Sequence, residues 1–405
     1  MEQIHRNSGA ESTADIGIIT FQAAWNCGAV LQCAALKKVL ERMGHNVCVI
    51  DYVPDYQRKK YQKYPNPFTA ALNEIHKQKN SSIINKGKTA AKAVVKTLLN
   101  YIPGSSHLTR KEKFDSFSRA YLNKTRTYTS LKDLQDHPPK CKVYVSGSDQ
   151  VWNPSLTNGI DGAYYCDFGG QDIKRVGYAI SACELDVQAD HDKLKPMVSR
   201  FDHLALREVE MQSQIEGIYG KDVNICVDPT LLMEAEDYKE FEATCKPEEP
   251  YILVYAFAAE KSRARLFKLI RQVQDRYHLP VKVIYGPNKW PMEVELVQPR
   301  NCPSPGEFLS SIKNAAFVVT DSFHATVFSI LYQRPFYTMT VAGRGSRVAE
   351  MLEKLGLKSR LVTPETNLDE LIDESIDHDL VYEKLSALRK ASLAYLADAV
   401  RIEGE

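Results

Sequence analysis

Asp15-Ile16-Gly17-Ile18-Ile19-Thr20-Phe21 is the stretch on which the reading of this chain turns. It is short, rich in isoleucine and does not alternate, the pattern of a parallel strand buried on both faces. A polar, small-residue turn follows, Gln22 to Gly28. Apolar residues then recur at helical spacing from Ala29 to Met43, and Gly44 suits a helix C-cap. His45 to Tyr52 is a second strand. Strand, loop, helix, strand is the building block of a doubly wound sheet.

The same grammar returns further along. Val143-Tyr144-Val145 runs into Ser146-Gly147-Ser148-Asp149-Gln150-Val151-Trp152-Asn153. Arg175 to Ser181, His203 to Glu208 and Asn224 to Thr230 read as further strands with their loops. A second series begins near Glu248-Glu249-Pro250, with strands at Tyr251–Ala256, Val281–Tyr285, Ala316–Thr320 and Pro335–Val341. Helices fall between them at Lys261–Tyr277, Pro305–Asn314 and Ala325–Tyr332. Two alternating series predict an α/β chain of two Rossmann-like domains facing a cleft, a glycosyltransferase-B-like layout. The expected division is 15–245, 246–385 and a C-terminal helix, 386–405, packed back across the domains. Residues 54–126 break the pattern. They are dominated by Lys and Arg, carry Ala90, Val94, Val95, Leu98 and Leu99 at helical spacing, and read as a basic helical insertion in the first domain.

The 405 residues carry a formal net charge of +1, with 44% hydrophobic and 25% charged residues. That is an ordinary globular balance, and it gives nucleic-acid binding no support. The nine cysteines form no CxxC pair and no zinc spacing, so reduced, buried thiols are expected and no metal site. No signal-like or membrane-spanning stretch is evident, which places the protein in the cytoplasm.

Ligands of open α/β sheets bind beyond the carboxyl ends of the strands, so four strand-to-helix turns are the candidate sites. Asn26 opens a helix, where it can serve a ligand or simply cap. Ser148, Asp149 and Asn153 form a polar cluster after an apolar strand; a turn with an N-cap and a core Trp152 is the plainer reading. Arg207 at a strand end suits bidentate binding of phosphate or carboxylate; an Arg–Glu surface pair with Glu208 is the alternative. His324, after Asp321-Ser322-Phe323, is an acid/base candidate at a helix N-terminus; capping by Asp321 or Ser322 is the alternative.

Taken in order, these turns resemble the polysaccharide pyruvyl transferase family. The resemblance runs from Ile18-Ile19-Thr20-Phe21 and Gly28-Ala29-Val30-Leu31-Gln32 through Gly147–Asn153, Tyr178–Ser181, Arg207-Glu208 and Val227-Asp228-Pro229-Thr230 to Asp321–His324 and Ser346-Arg347-Val348. It implies transfer of the enolpyruvyl-derived group of phosphoenolpyruvate to a sugar of a cell-surface polysaccharide precursor. Phosphoenolpyruvate would be a co-substrate, with no other cofactor. His324 and Asp149 would be catalytic, and Arg207, Arg347 and Ser322 would bind the donor. Asn26, Gln32, Ser148 and Asn153 would hold donor or acceptor. Some branches carry Arg where this chain has Ser322, so a second cation must come from Arg347 or Arg344. Acceptors in the family are often lipid-linked at the inner membrane face, which connects with the basic insertion as a membrane-contacting element; a solvated basic face is the alternative. A nucleotide-sugar glycosyltransferase and a non-catalytic glycan-binding relative are the rival functions.

Overall fold

The computed structural model describes residues 13–61, 66–77, 83–99, 105–245, 249–257, 262–285, 296–297, 303–340, 346–371 and 375–402. The first sheet holds β1 (Ala14–Ile19), β2 (Val47–Tyr52), β3 (Lys124–Tyr128), β4 (Cys141–Ser146), β5 (Lys174–Ile180), β6 (His203–Leu206) and β7 (Asn224–Ile225). Its order is β3-β2-β1-β4-β5-β6-β7, and every pairing is parallel. The second holds β8 (Ile252–Tyr255), β9 (Val281–Tyr285), β10 (Leu296–Val297), β11 (Phe317–Thr320), β12 (Phe336–Met339) and β13 (Leu361–Val362), again all parallel, in the order β10-β9-β8-β11-β12-β13.

Both orders are doubly wound, and both reverse direction beside their first strand. The crevices that matter therefore lie past β1 and β4 in one domain and past β8 and β11 in the other. The central strands are continuous apolar runs because helices cover both faces; Ile16, Ile18 and Ile19 of β1 are fully buried. Helix α1 (Cys27–Arg42) begins at the β1 crevice. Asn26 caps it, its side-chain oxygen accepting from Gly28 N (3.0 Å) and Ala29 N (3.3 Å). Its first ten residues are buried on every side, as befits a helix lying in the seam between the domains.

The insertion contains α2 (Asp55–Lys60), α3 (Pro67–Lys77), α4 (Ile83–Leu99) and α5 (Ser106–Tyr121). It ends earlier than its composition indicates. Lys124–Tyr128, which begins within the stretch 54–126 read as helical, is the edge strand of the first sheet, with three of its first four residues exposed. An edge strand takes charge and Thr readily, and its sequence hides it. Helix α5 bridges the seam: Lys113 pairs with Glu307 at 2.7 Å. The helix His378–Ala399 returns to the first domain. Arg389 donates to Leu231 O (2.7 Å), Ser392 Oγ accepts from Val227 N (3.0 Å), and the Tyr395 hydroxyl donates to Gly177 O (3.0 Å). Among the described residues, no helix is long and apolar enough to cross a membrane.

Candidate active site in the seam

The loop after β4 is shaped by Gly147. Its φ is +119°, and a Cβ there would meet Tyr178 O at 2.3 Å, so only glycine fits. The next residue, Ser148, is fully buried. Its N–H donates to Gln32 Oε1 (3.2 Å), and its hydroxyl donates to Ala179 O (2.7 Å) and lies 3.4 Å from Asp228 Oδ2. Gln32 in turn donates to Thr20 Oγ1 and to Ala29 O, both at 2.9 Å.

Asp228 is the hub. Its carboxylate is buried, with Oδ1 accepting from Thr230 N (3.0 Å) and Thr230 Oγ1 (2.6 Å). Oδ2 accepts from Arg207 Nη1 at 2.7 Å and lies 3.5 Å from His324 Nε2. At that length the imidazole contact is electrostatic rather than a hydrogen bond, and Nε2 has no hydrogen-bond partner. Burial opposes ionisation of Asp228, but His324 and Arg207 outweigh it and hold the carboxyl well below the usual range.

Arg207 is clamped. Nε donates to Glu208 Oε1 (3.0 Å), Nη1 is held by Asp228, and the guanidinium stacks 4.7 Å from the Phe323 ring. Burial disfavours its charge, yet Glu208 and Asp228 raise its pKa above the ordinary value. Only Nη2 is left, buried and without a partner. Arg347 differs. It is also buried, and among the described residues no carboxylate pairs with it. Gln150, turned so that its amide oxygen faces the guanidinium, accepts from Nη1 and Nη2 at 3.2 Å each, and Nε has no partner. Burial and the charge of Arg207 push its pKa down.

His324 belongs to the first turn of the helix Phe323–Leu331, past β11 in the second domain. It reaches across the seam to the first turn of α1, where Gly28 has no side chain to keep it away.

Two guanidinium groups, an imidazole and a buried carboxylate thus converge where both sheets reverse. Residues 26–342, more than half of the chain, match the polysaccharide pyruvyl transferase family. The chain belongs to that family. No protein of curated function matches the sequence. Among solved structures it is similar to S. aureus MnaA with UDP (13% identity, 92% of this chain and 91% of that one, TM-score 0.45). It is also similar to the UDP-GlcNAc 2-epimerase of Methanocaldococcus jannaschii (13%, 93% and 99%, TM-score 0.43) and to the O-GlcNAc transferase of Thermobaculum terrenum (11%, 96% and 64%, TM-score 0.40).

In this polysaccharide pyruvyl transferase, the structure draws together Arg207, Arg347, His324 and Ser148, with Asp149 beside them. Asp149 is half-buried at a φ of +72°, and its Oδ1 accepts from Gln150 N (2.9 Å). The other four expected site residues are engaged in the fold. Asn26 and Ser322 are N-caps, Ser322 accepting from Ala325 N (3.4 Å). Asn153 caps the short helix Pro154–Thr157 through Ser155 N (2.9 Å). Gln32 spends its amide on Thr20, Ala29 and Ser148, so its contact with the site runs through the Ser148 loop. Arg344 lies outside the described residues.

Sequence reasoning gave no site role to Asp228, Gln150, Phe323 or Gly28, and expected Glu208 only as a surface partner of Arg207, a pair that the structure buries. Asp228 had a signal: a carboxylate directly after Ile225-Cys226-Val227 and before a Pro must be buried, and a buried carboxylate needs a cation. A cavity of about 370 Å³ lies in the first domain, lined among others by Gln22, Trp25, Asp51, Tyr61 and Lys111, and none of the converging residues lines it.

Proposed function

We propose that this protein transfers the enolpyruvyl-derived group of phosphoenolpyruvate to two hydroxyls of a sugar in a cell-surface polysaccharide precursor, forming a cyclic ketal. The observation that carries the reading is Arg347, a buried guanidinium with no carboxylate partner among the described residues, beside Arg207 and His324. An unpaired buried cation costs several kcal/mol, on the order of 3–5, unless an anion completes it. Phosphoenolpyruvate brings a phosphate and a carboxylate. Arg347 is the principal anchor on this reading, and the remaining Arg207 Nη2 is the second donor.

The chemistry follows from the groups at hand. His324 delivers a proton to C3, which makes C2 electrophilic. A sugar hydroxyl forms a C2–O bond, the C2–O bond to phosphate breaks, and a second hydroxyl closes the ring at C2. The two hydroxyl protons are accounted for: one ends on C3 and one leaves with phosphate. Asp149 orients or deprotonates a hydroxyl. Asp228, kept ionised, holds Arg207 and faces Nε2 of His324, the atom that passes the proton. The 370 Å³ cavity is within the size range of small-ligand sites and joins three aromatic rings, Trp25, Tyr61 and Phe114, to polar groups, which suits the acceptor sugar. Trp25, on its wall, is the residue before Asn26, at the mouth of the seam.

The test is thermal stability with phosphoenolpyruvate, inorganic phosphate and UDP. A shift with phosphoenolpyruvate that Arg347→Ala abolishes supports the reading and licenses an acceptor screen. A shift with UDP alone would overturn it in favour of a nucleotide-sugar transferase.

A further inference from the structure

The α3–α4 hairpin has the surface of a membrane-resting element. Of the nine large hydrophobic side chains that stand exposed among the described residues, five belong to it: Phe68, Leu72, Val95, Leu98 and Leu99. Phe68 is 76% exposed, and each of the others is more than half exposed. They do not substitute for a core, because α4 has one already: Thr97 is buried and Ala90 and Val94 are half-buried, on a face that starts beside Leu98 and turns away from Val95 and Leu99. With a residue every 100°, Val95 and Leu98 fall on an outward stripe, and Leu99 stands at its margin. Phe68 and Leu72, four apart on α3, make a second pair of the same kind.

Lys88, Lys92 and Lys96, spaced four apart, run along one margin of that stripe. None of the three has an ion pair among the described residues, and α4 contains no acidic residue at all. An apolar stripe edged by a row of unpaired lysines has two requirements, a greasy partner and a negative one. A second copy of the chain meets the first and fails the second, since it would set one lysine row against another. An anionic bilayer meets both: the apolar side chains enter the acyl boundary while the lysine stems reach up to the headgroups.

We propose that the α3–α4 hairpin docks this protein on an anionic lipid bilayer. The inference stands apart from the donor and acceptor assignment, since it uses no residue of the seam. In the chain the hairpin is followed by α5, whose Lys113 pairs with Glu307 of the second domain, so docking would tether the seam to the membrane.

The experiment is co-flotation of the full chain with vesicles of phosphatidylcholine alone and of phosphatidylcholine with phosphatidylglycerol. Flotation is expected only with the anionic vesicles. The triple variant Lys88→Glu, Lys92→Glu, Lys96→Glu should weaken it about a hundredfold or more. Val95→Ser with Leu98→Ser should keep binding at low salt and lose the part that survives high salt. All five positions are exposed, so an unchanged melting temperature is the check on folding. Equal flotation with neutral vesicles, none with anionic ones, or unchanged flotation of the triple variant would overturn the proposal. So would a lipid-free dimer that Leu98→Ser dissolves, which would assign the stripe to a second copy.

Discussion

Gly28 and His324 meet across the seam so closely that a Cβ at position 28 would lie 2.1 Å from the imidazole Nδ1 and 2.3 Å from Cγ. No real Cβ sits at such distances, so Gly28→Ala must displace the ring from its place facing Asp228. The substitution suits α1 itself, because Ala is the better helix former by about 1 kcal/mol. Loss of function is therefore attributable to the contact. A displacement of about 1 Å in a catalytic group costs on the order of a hundredfold in rate. We expect kcat to fall by about that factor, with a smaller change in the KM for phosphoenolpyruvate. Unfolding midpoints supply the check: Gly28→Ala should destabilise the wild type far more than a His324→Gly background, where the imidazole and the Cβ that it would meet at 2.7 Å are both gone.

The two arginines should behave oppositely. Arg207 neutralises Asp228 and Glu208, so Arg207→Met leaves buried carboxylates without their cation and should destabilise by about 3–5 kcal/mol. Arg347→Met removes a cation that no carboxylate pairs with among the described residues, and should leave stability unchanged or raised. Donor binding should respond the other way round: Arg347→Met abolishes the thermal shift caused by phosphoenolpyruvate. Urea unfolding without ligand and melting with it would separate the two. Destabilisation by Arg347→Met as large as that by Arg207→Met would refute the distinction.

Much of this arrangement was legible in the chain itself. Continuous apolar runs such as Val143-Tyr144-Val145 have one physical home, a doubly covered parallel sheet, and their alternation with helical patterns fixes the two-domain layout. The polar turns after β1, β4, β6 and β11 pointed to the seam because open sheets bind ligands there. What stayed hidden is pairing at long range. Nothing in the sequence says that Asp228 rather than Glu208 faces His324, or that Gln32 reaches the loop 116 residues away. Asn26, Asn153 and Ser322 look alike as ligands or as caps, since the oxygen that would hold a substrate also satisfies helix N–H groups. The edge strand Lys124–Tyr128 escaped because its exposed positions carry the charge and hydroxyl that an insertion would.

A second glycine gives the converse of Gly28. Gly217 lies within the helix Gln212–Tyr219, is exposed, and a Cβ there meets nothing within 4 Å. Gly217→Ala should stabilise by up to about 1 kcal/mol through the lower entropy of the unfolded chain and the higher helix propensity. Activity should be unchanged. A lower unfolding midpoint would mean that this helix packs against something the described residues do not include.

Asp228 makes stability depend on acidity in a direction that can be worked out. Burial raises its pKa, but His324, Arg207 and the hydrogen bonds from Thr230 bring the folded value well below the ordinary carboxylate range. A depressed folded value means that the ionised form is the one the fold prefers. Its stabilising contribution is complete above the unfolded pKa of about 3.9, and is lost as the pH falls through the folded value. Asp228→Asn removes the charge and keeps the shape, so it should cost about 3 kcal/mol near neutrality. Between about pH 5 and 8 the titration of Asp228 itself should add nothing to that deficit, since the carboxyl is ionised in both states there. Below about pH 4 it should shrink, because the wild type then begins to lose what the variant never had. Urea midpoints of both proteins across this range test the assignment. A deficit that grew on acidification would mean that Asp228 is held protonated in the fold, and would remove it as the charge that organises Arg207 and His324.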